Sequence, residues 1–192
     1  MTATRARCAG FTLLELLTAV AVAITFLAIV PPTFTSIIKS VRLKSQIYDF
    51  NGALDLARSE AVMRGITVTV CASANQTSCG PGGTNWESGW IVFVDSNSNQ
   101  KLDGGETILR TGGALMANYR LRATSTTTLT SAIMFTAKGA PSASGTFVLC
   151  YLTAINPARA ILINTSGLIT AAQDRNGVPR NSDGTDMTTC TP

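Results

Sequence analysis

The sequence predicts an α+β protein, one long N-terminal helix followed by a head of antiparallel strands, and three observations carry that expectation. Apolar residues run almost unbroken from Phe11 to Val30 and then recur every three or four positions as far as Gly65. Beyond Gly65 the period drops to two, in short apolar bursts divided by Gly, Asn and Ser, which is the pattern of short strands joined by turns. Cys71, Cys79, Cys150 and Cys190 fall in this later part and form an even set, suited to two disulfides in an oxidising compartment. Many strands behind a single helix fit separate α and β parts rather than alternating βαβ units.

The first element is the apolar run. Its twenty residues, Phe11 to Val30, reach about 30 Å as a helix, the thickness of a bilayer core. Arg5 and Arg7 precede it and favour the cytoplasmic side for that end. Glu15 interrupts it, and a carboxylate in hydrocarbon costs roughly 3 kcal/mol or more, so the residue calls for a partner. A secretory signal peptide shares the basic start and the apolar core, but it would not carry Glu15, and no small-residue cleavage site precedes Pro31. A plain membrane anchor accounts for the length and the flanking charge but not for Gly-Phe-Thr-Leu-Leu-Glu at its edge. A buried core helix would be shorter.

Residues 33–65 continue the helix in amphipathic form. Pro31 and Pro32 cannot donate backbone hydrogen bonds, which predicts a kink or a loosened turn at the membrane exit. Past them Leu43, Ile47, Phe50, Leu54, Ala57 and Ala61 recur at steps of four and three, the stripe of a helix lying on a globular domain. Glu60 and Arg64 stand one turn apart, Arg58 and Arg64 are read as a solvated face, and Gly65 is the expected stop.

The head is expected over residues 66–172. Ile66 to Cys71 alternates as a half-buried strand. Further strands are expected at Trp90–Val94, Tyr119–Ala123, Ala132–Phe135, Thr146–Leu152 and Ala160–Ile163, with a weak last one at Leu168–Thr170. Residues 173–192 are polar and rich in Gly, Asn and Asp, so an irregular tail held near Cys190 is expected. Four cysteines allow three pairings. The short separation of Cys71 and Cys79 beside a Gly-rich turn favours a local staple, leaving Cys150 to hold the tail through Cys190. A zinc site would need paired C-x-x-C spacing or histidine, and the chain has no histidine.

Composition excludes little beyond that. The formal net charge of +4 becomes +2 if Arg5 and Arg7 are removed, too small a surplus to point to nucleic acid. The absence of histidine removes the commonest general base. One loop has ligand-like spacing: Asp95, Asn97, Asn99, Asp103 and Glu106 occupy positions 1, 3, 5, 9 and 12 of a twelve-residue stretch, as in calcium loops. Gln100 stands where such loops place glycine, and the flanks read as strands. The competing reading is a polar hairpin whose side chains cap their own backbone. Ser36 and Lys39 match a bare S-x-x-K spacing without the companion elements of serine acyl-transferases. Asn75-Gln76-Thr77 and Asn164-Thr165-Ser166 fit the glycosylation pattern, which recurs by chance.

Gly10-Phe11-Thr12-Leu13-Leu14-Glu15 resembles the processing motif of type IV prepilins and pseudopilins. The resemblance implies that a prepilin peptidase removes residues 1–10 by cutting after Gly10 and N-methylates Phe11. It implies that Glu15 neutralises the new α-amino group of a neighbouring subunit, a pairing that makes a carboxylate tolerable in a dry helix bundle. Pro32 sits where pilins place the proline at which the helix melts on assembly. From Ala57-Arg58-Ser59-Glu60-Ala61 through Cys71 and Cys79, Gly89 to Asp95, Gly105-Glu106, Leu109-Arg110 and Gly145 to Cys150, the chain is similar to GspH/FimT-type minor pilins.

That similarity implies a lollipop with a two-sheet head, non-enzymatic, sited in the bacterial inner membrane through residues 11–32 with the head in the periplasm. The implied partners are other pilins or pseudopilins, the peptidase and an inner-membrane assembly platform, in a type IV pilus or a type II secretion pseudopilus. DNA is the alternative partner. DNA-binding relatives resemble one another in a Gly-Arg-x-Arg motif, whereas this chain reads Gly167-Leu168-Ile169-Thr170 there. Arg175 and Arg180 lie just beyond as substitutes, diluted by Asp174, Asp183 and Asp186.

Overall fold

The computed structural model describes residues 10–80, 86–124, 129, 131–152, 154–180, 185–188 and 190, with the side chains of residues 26–35 and 175 set aside. The leader before Gly10 lies outside the described residues. The chain divides into two compact units, residues 1–39 and 40–192. In the first unit the described backbone is almost all helix. It belongs to α1, Leu13–Arg64, which is helical through Pro31 and Pro32 with no break at either.

The second unit begins with the remainder of α1 and adds β1 (Val68–Ala72), β2 (Trp90–Val94), β3 (Ile108–Gly112), β4 (Tyr119–Thr124) and β5 (Ala132–Phe135). After these come β6 (Gly145–Tyr151), β7 (Ala154–Ile163), β8 (Ile169–Ala171), β9 (Asp174–Arg175) and β10 (Val178–Pro179). Two four-stranded sheets form, in the orders β3-β2-β1-β5 and β4-β6-β7-β8, while β9 and β10 make a hairpin. Every pairing is antiparallel.

The anticipated stripe is the keel of the core. Leu43, Ile47, Phe50, Leu54, Ala57 and Ala61 are all buried, together with Ala53. Phe50 sits between the sheets, with ring centroids 5.5 Å from Trp86 and 4.9 Å from Phe147 in edge-to-face contact. Such a side chain stabilises by about 3 kcal/mol on burial, with the aromatic geometry adding to it. Arg64 pairs with Glu60 one turn before it. Gly65 then ends the helix at φ 69°, its N–H donating to the Ala61 carbonyl, a left-handed cap that glycine adopts without a Cβ penalty.

Five expectations need correction. β1 is buried on both faces rather than half-buried. Val68 and Val70 face α1, while Cys71 joins Ile91, Phe93 and Ala132 in a second cluster roofed by Cys79 and Leu102. The alternation is real, but loops cover the outer face. The tail is not irregular throughout: β9 and β10 pair, Gly177 accepts from the Ala158 N–H, and Met187 is buried against Val148, Cys150, Ala158 and Ala160. Arg58 is no solvated residue either, since its Nε donates to the Gly139 carbonyl at 3.2 Å. Finally, β3 forms where no strand was expected, and β7 starts six residues early.

Both expected disulfides are present, Cys71–Cys79 and Cys150–Cys190. Each pins an irregular segment over the outer face of one sheet. Cys71 is on β1 of the first sheet and holds the loop to Cys79; Cys150 is on β6 of the second and holds the tail at Cys190. A small head with two thin sheets keeps its outer faces dry in this way, and cross-linking adds to it by constraining the unfolded chain.

Candidate functional site

At the N-terminus the chemistry is that of a helix start inside an apolar surface. Gly10 and Phe11 precede the helix, and the Thr12 hydroxyl accepts the Glu15 N–H at 3.2 Å. This is an N-cap bond, which places Glu15 at the third helical position, beside the positive end of the helix dipole. Glu15 is exposed, and around it Phe11, Leu13, Leu14, Leu16 and Leu17 are each more than half exposed, Phe11 at 84%.

The polar groups in this run are satisfied from within. Thr18 Oγ1 donates to the Glu15 carbonyl at 2.9 Å, and Thr25 Oγ1 to the Val22 carbonyl at 2.7 Å, so both hydroxyls are compatible with an apolar surround. Among the described residues the Glu15 carboxylate is exposed and has no ion pair. Among the described residues no helix is long and apolar enough to cross a membrane. The apolar stretch from Phe11 onward includes residues 26–35, whose side chains lie outside the description.

The loop with calcium-like spacing brings its residues together, but they face one another. Asp95 is fully buried at the end of β2; its carboxylate accepts from Thr69 Oγ1 at 2.7 Å and from the Asn99 and Gln100 N–H groups at 3.0 Å each. Asp103 accepts from the side-chain amides of Asn97 (2.8 Å) and Asn99 (2.7 Å), and these bonds hold its carboxyl below the usual carboxylate range. Glu106 takes the Ser96 and Asp103 N–H groups. A calcium ion draws about six to eight oxygens to one centre. Here both Asn side chains turn NH₂ toward Asp103, and among the described residues no three His, Cys, Asp or Glu converge. The donor set fits a self-capped loop and does not fit the ion. Its evident task is to seat Leu102 against the outer face of the first sheet.

The other candidates are distributed differently. Arg180 is bound to Asp186 at 3.2 Å, and its backbone N–H to the Gln173 carbonyl; the Arg175 side chain lies outside the description, as does Asp183. Ser36 and Lys39 are one turn apart on α1, in the first unit. Asn75 and Asn164 act as turn caps: Asn75 Oδ1 accepts from the Thr77 and Ser78 N–H groups, and Asn164 Oδ1 from those of Ser166 and Leu168.

Sequence reasoning missed a clamp at the end of α1. Gly139 (φ 74°) and Gly167 (φ 80°) are buried turn glycines packed on Arg58, and a Cβ on Gly167 would lie 2.0 Å from the Gly139 carbonyl oxygen. The signal available was the pair of glycines in otherwise polar turns; their juxtaposition through Arg58 is a tertiary fact.

Comparison with known proteins follows the same lines. The family model described as type II transport protein GspH matches residues 46–167, from the amphipathic half of α1 to the Gly167 turn. Crystal structures of the type IV minor pilin FimU of Pseudomonas aeruginosa, in two crystal forms, are similar at TM-scores of 0.57 and 0.54 with 20% identity. They cover 80% and 77% of this chain and 98% and 99% of theirs. No curated protein matches the chain. The family model spans well over half of the sequence and the fold is that of FimU: the chain belongs to the GspH family.

Proposed function

We propose that this chain is a minor pilin or pseudopilin subunit that enters a filament through its N-terminal helix. In this reading a prepilin peptidase cuts after Gly10 and methylates the Phe11 amine. Residues 11–32 hold the subunit in the bacterial inner membrane, with the head in the periplasm, until an assembly platform moves it into the filament. The observation that carries the reading is the start of α1, a Thr12-capped helix whose exposed Glu15 has no ion pair among the described residues and is surrounded by exposed apolar side chains. An exposed apolar surface around one carboxylate fits a bundle of like helices in which a neighbour's α-amino group supplies the opposite charge. The disulfides suit a periplasmic head.

The filament is a type IV pilus or a type II secretion pseudopilus, as the names of FimU and of the GspH family respectively suggest. DNA binding is the weaker reading, because Arg180 is neutralised by Asp186 and Leu168 and Thr170 stand at the Gly167 turn. A deletion strain scored for twitching, exoprotein secretion and DNA uptake in one experiment tests the proposal. Loss of twitching or of secretion is the expected result and assigns the machine. Normal twitching and secretion with lost DNA uptake would contradict it in favour of a DNA receptor.

A further inference from the structure

A groove of about 210 Å³ lies in the second unit between α1 and the edge of the second sheet. Lys44, Tyr48 and Asn51 line it from the helix, and Arg159, Ala171 and Ala172 from the strand side. β8 covers only three residues of the ten-residue β7. The bonds Asn164 N–H to Leu168 and Ala172 N–H to Ala160 set the alternation of this ladder. Leu168, Thr170 and Ala172 therefore turn their backbone groups toward β7, and Ile169 and Ala171 turn theirs outward. Among the described residues no strand pairs with that outward side.

Three properties of the groove define what fits it. Its floor is made of small aliphatic groups beside an open strand edge, which admits an extended backbone with an aliphatic side chain. Its charge is unbalanced: Arg159 is neutralised by Asp174 at 2.8 Å, whereas exposed Lys44 has no ion pair among the described residues. Its polar capacity is incomplete, since Asn51 keeps Oδ1 buried without a donor although its Nδ2 donates to Asp55. A helix offers no backbone groups to a strand edge, and among the described residues a nucleic acid would meet Lys44 as a single free cation, with Asp174 nearby.

We propose that this groove takes an extended, acidic-aliphatic segment of a neighbouring filament subunit, which adds to the edge of β8 and sets a carboxylate against Lys44. The inference rests on the filament reading above and names the contact by which the head joins its neighbour. Tyr48, 66% exposed at the rim, is the place to test it. The full chain carrying a benzophenone amino acid in place of Tyr48 is expressed in its own cells, irradiated, and its adducts are mapped by mass spectrometry.

The expected adduct is a non-helical segment of another pilin-type subunit that contains Asp or Glu. Ala171→Pro removes an outward N–H that an edge strand can forgo, and its adduct yield should fall about tenfold, while Lys44→Glu should lower it about fivefold. Lys44 is exposed on the helix, so Lys44→Glu decides the matter if Ala171→Pro fails to keep both disulfides. Adducts to a helical segment, to lipid or to a second copy of this chain, no adduct, or an unchanged yield in Lys44→Glu would each overturn the proposal. Sheared filaments are probed for the chain in parallel. The chain in filaments without an adduct defeats the groove alone; an adduct without the chain in filaments defeats the filament reading alone.

Discussion

Glu15→Val should leave cleavage and methylation intact and remove the subunit from filaments. The residue sits at the third position of α1, exposed, on a helix start already capped by Thr12. Losing its side chain leaves the Thr12 bond to the Glu15 backbone N–H in place, so the helix still begins at Leu13. What disappears is the counter-charge for a neighbour's α-amino group. An unpaired cation in a dry helix bundle costs about 3 kcal/mol or more, which corresponds to roughly a hundredfold less incorporation. The check is the ratio of processed subunit in sheared filaments to that in membranes. Glu15→Gln separates charge from hydrogen bonding, and it should fail nearly as badly. Normal incorporation of Glu15→Val would contradict the pairing.

A second large effect belongs to the head. Gly167→Ala should destabilise it by about 2–4 kcal/mol, for two reasons that act together. The backbone is held at φ 80°, where an L side chain is strained, and the new methyl would meet the Gly139 carbonyl oxygen at 2.0 Å and Arg58 Nε at 3.1 Å. Neither neighbour yields easily, because Gly139 is itself a left-handed turn and Arg58 bonds its carbonyl. Gly104→Ala, in open space without a positive φ, is the matched control and should change stability little. Denaturant unfolding of the detergent-solubilised chain measures both. Equal midpoints for Gly167→Ala and the parent would show that the two turns can part without loss.

The elements read most easily from the sequence were those made of a regular apolar stripe or a short unbroken apolar run. The stripe from Leu43 to Ala61 and the strands Trp90–Val94 and Ala132–Phe135 fall where the pattern places them. β3 was not legible because Ile108–Gly112 is an edge strand with a single fully buried residue, with Gly112 kept open for the Trp90 ring and Arg110 stacked over that ring while paired to Asp49. Its sequence shows the alternation of neither a buried nor a half-buried strand. The tail misled for a different reason. Its polar composition describes its own surface, while its order comes from Met187 and Cys190 packing on the second sheet, which is a long-range contact.

The ligand-like loop shows the limit of spacing as evidence. Oxygens at alternate positions are what calcium requires and also what a self-capping turn produces. The difference lies in whether amide groups point at the carboxylates or away from them, and here Asn97 and Asn99 point at Asp103. By contrast, the N-terminal motif needs little tertiary context. Its cap, its carboxylate and its apolar surface are all local, so the reading of residues 10–30 as an assembly helix rests on features the sequence displays directly.

The central claim is that this helix, freed of its leader, is built into a filament, and the mature N-terminus reports on it directly. Mass spectrometry of the subunit recovered from sheared filaments should find a chain that begins at Phe11 with an N-methyl group. A filament-free chain that retains Gly10 at its N-terminal side, or one cut elsewhere and released as a soluble head, would contradict the account.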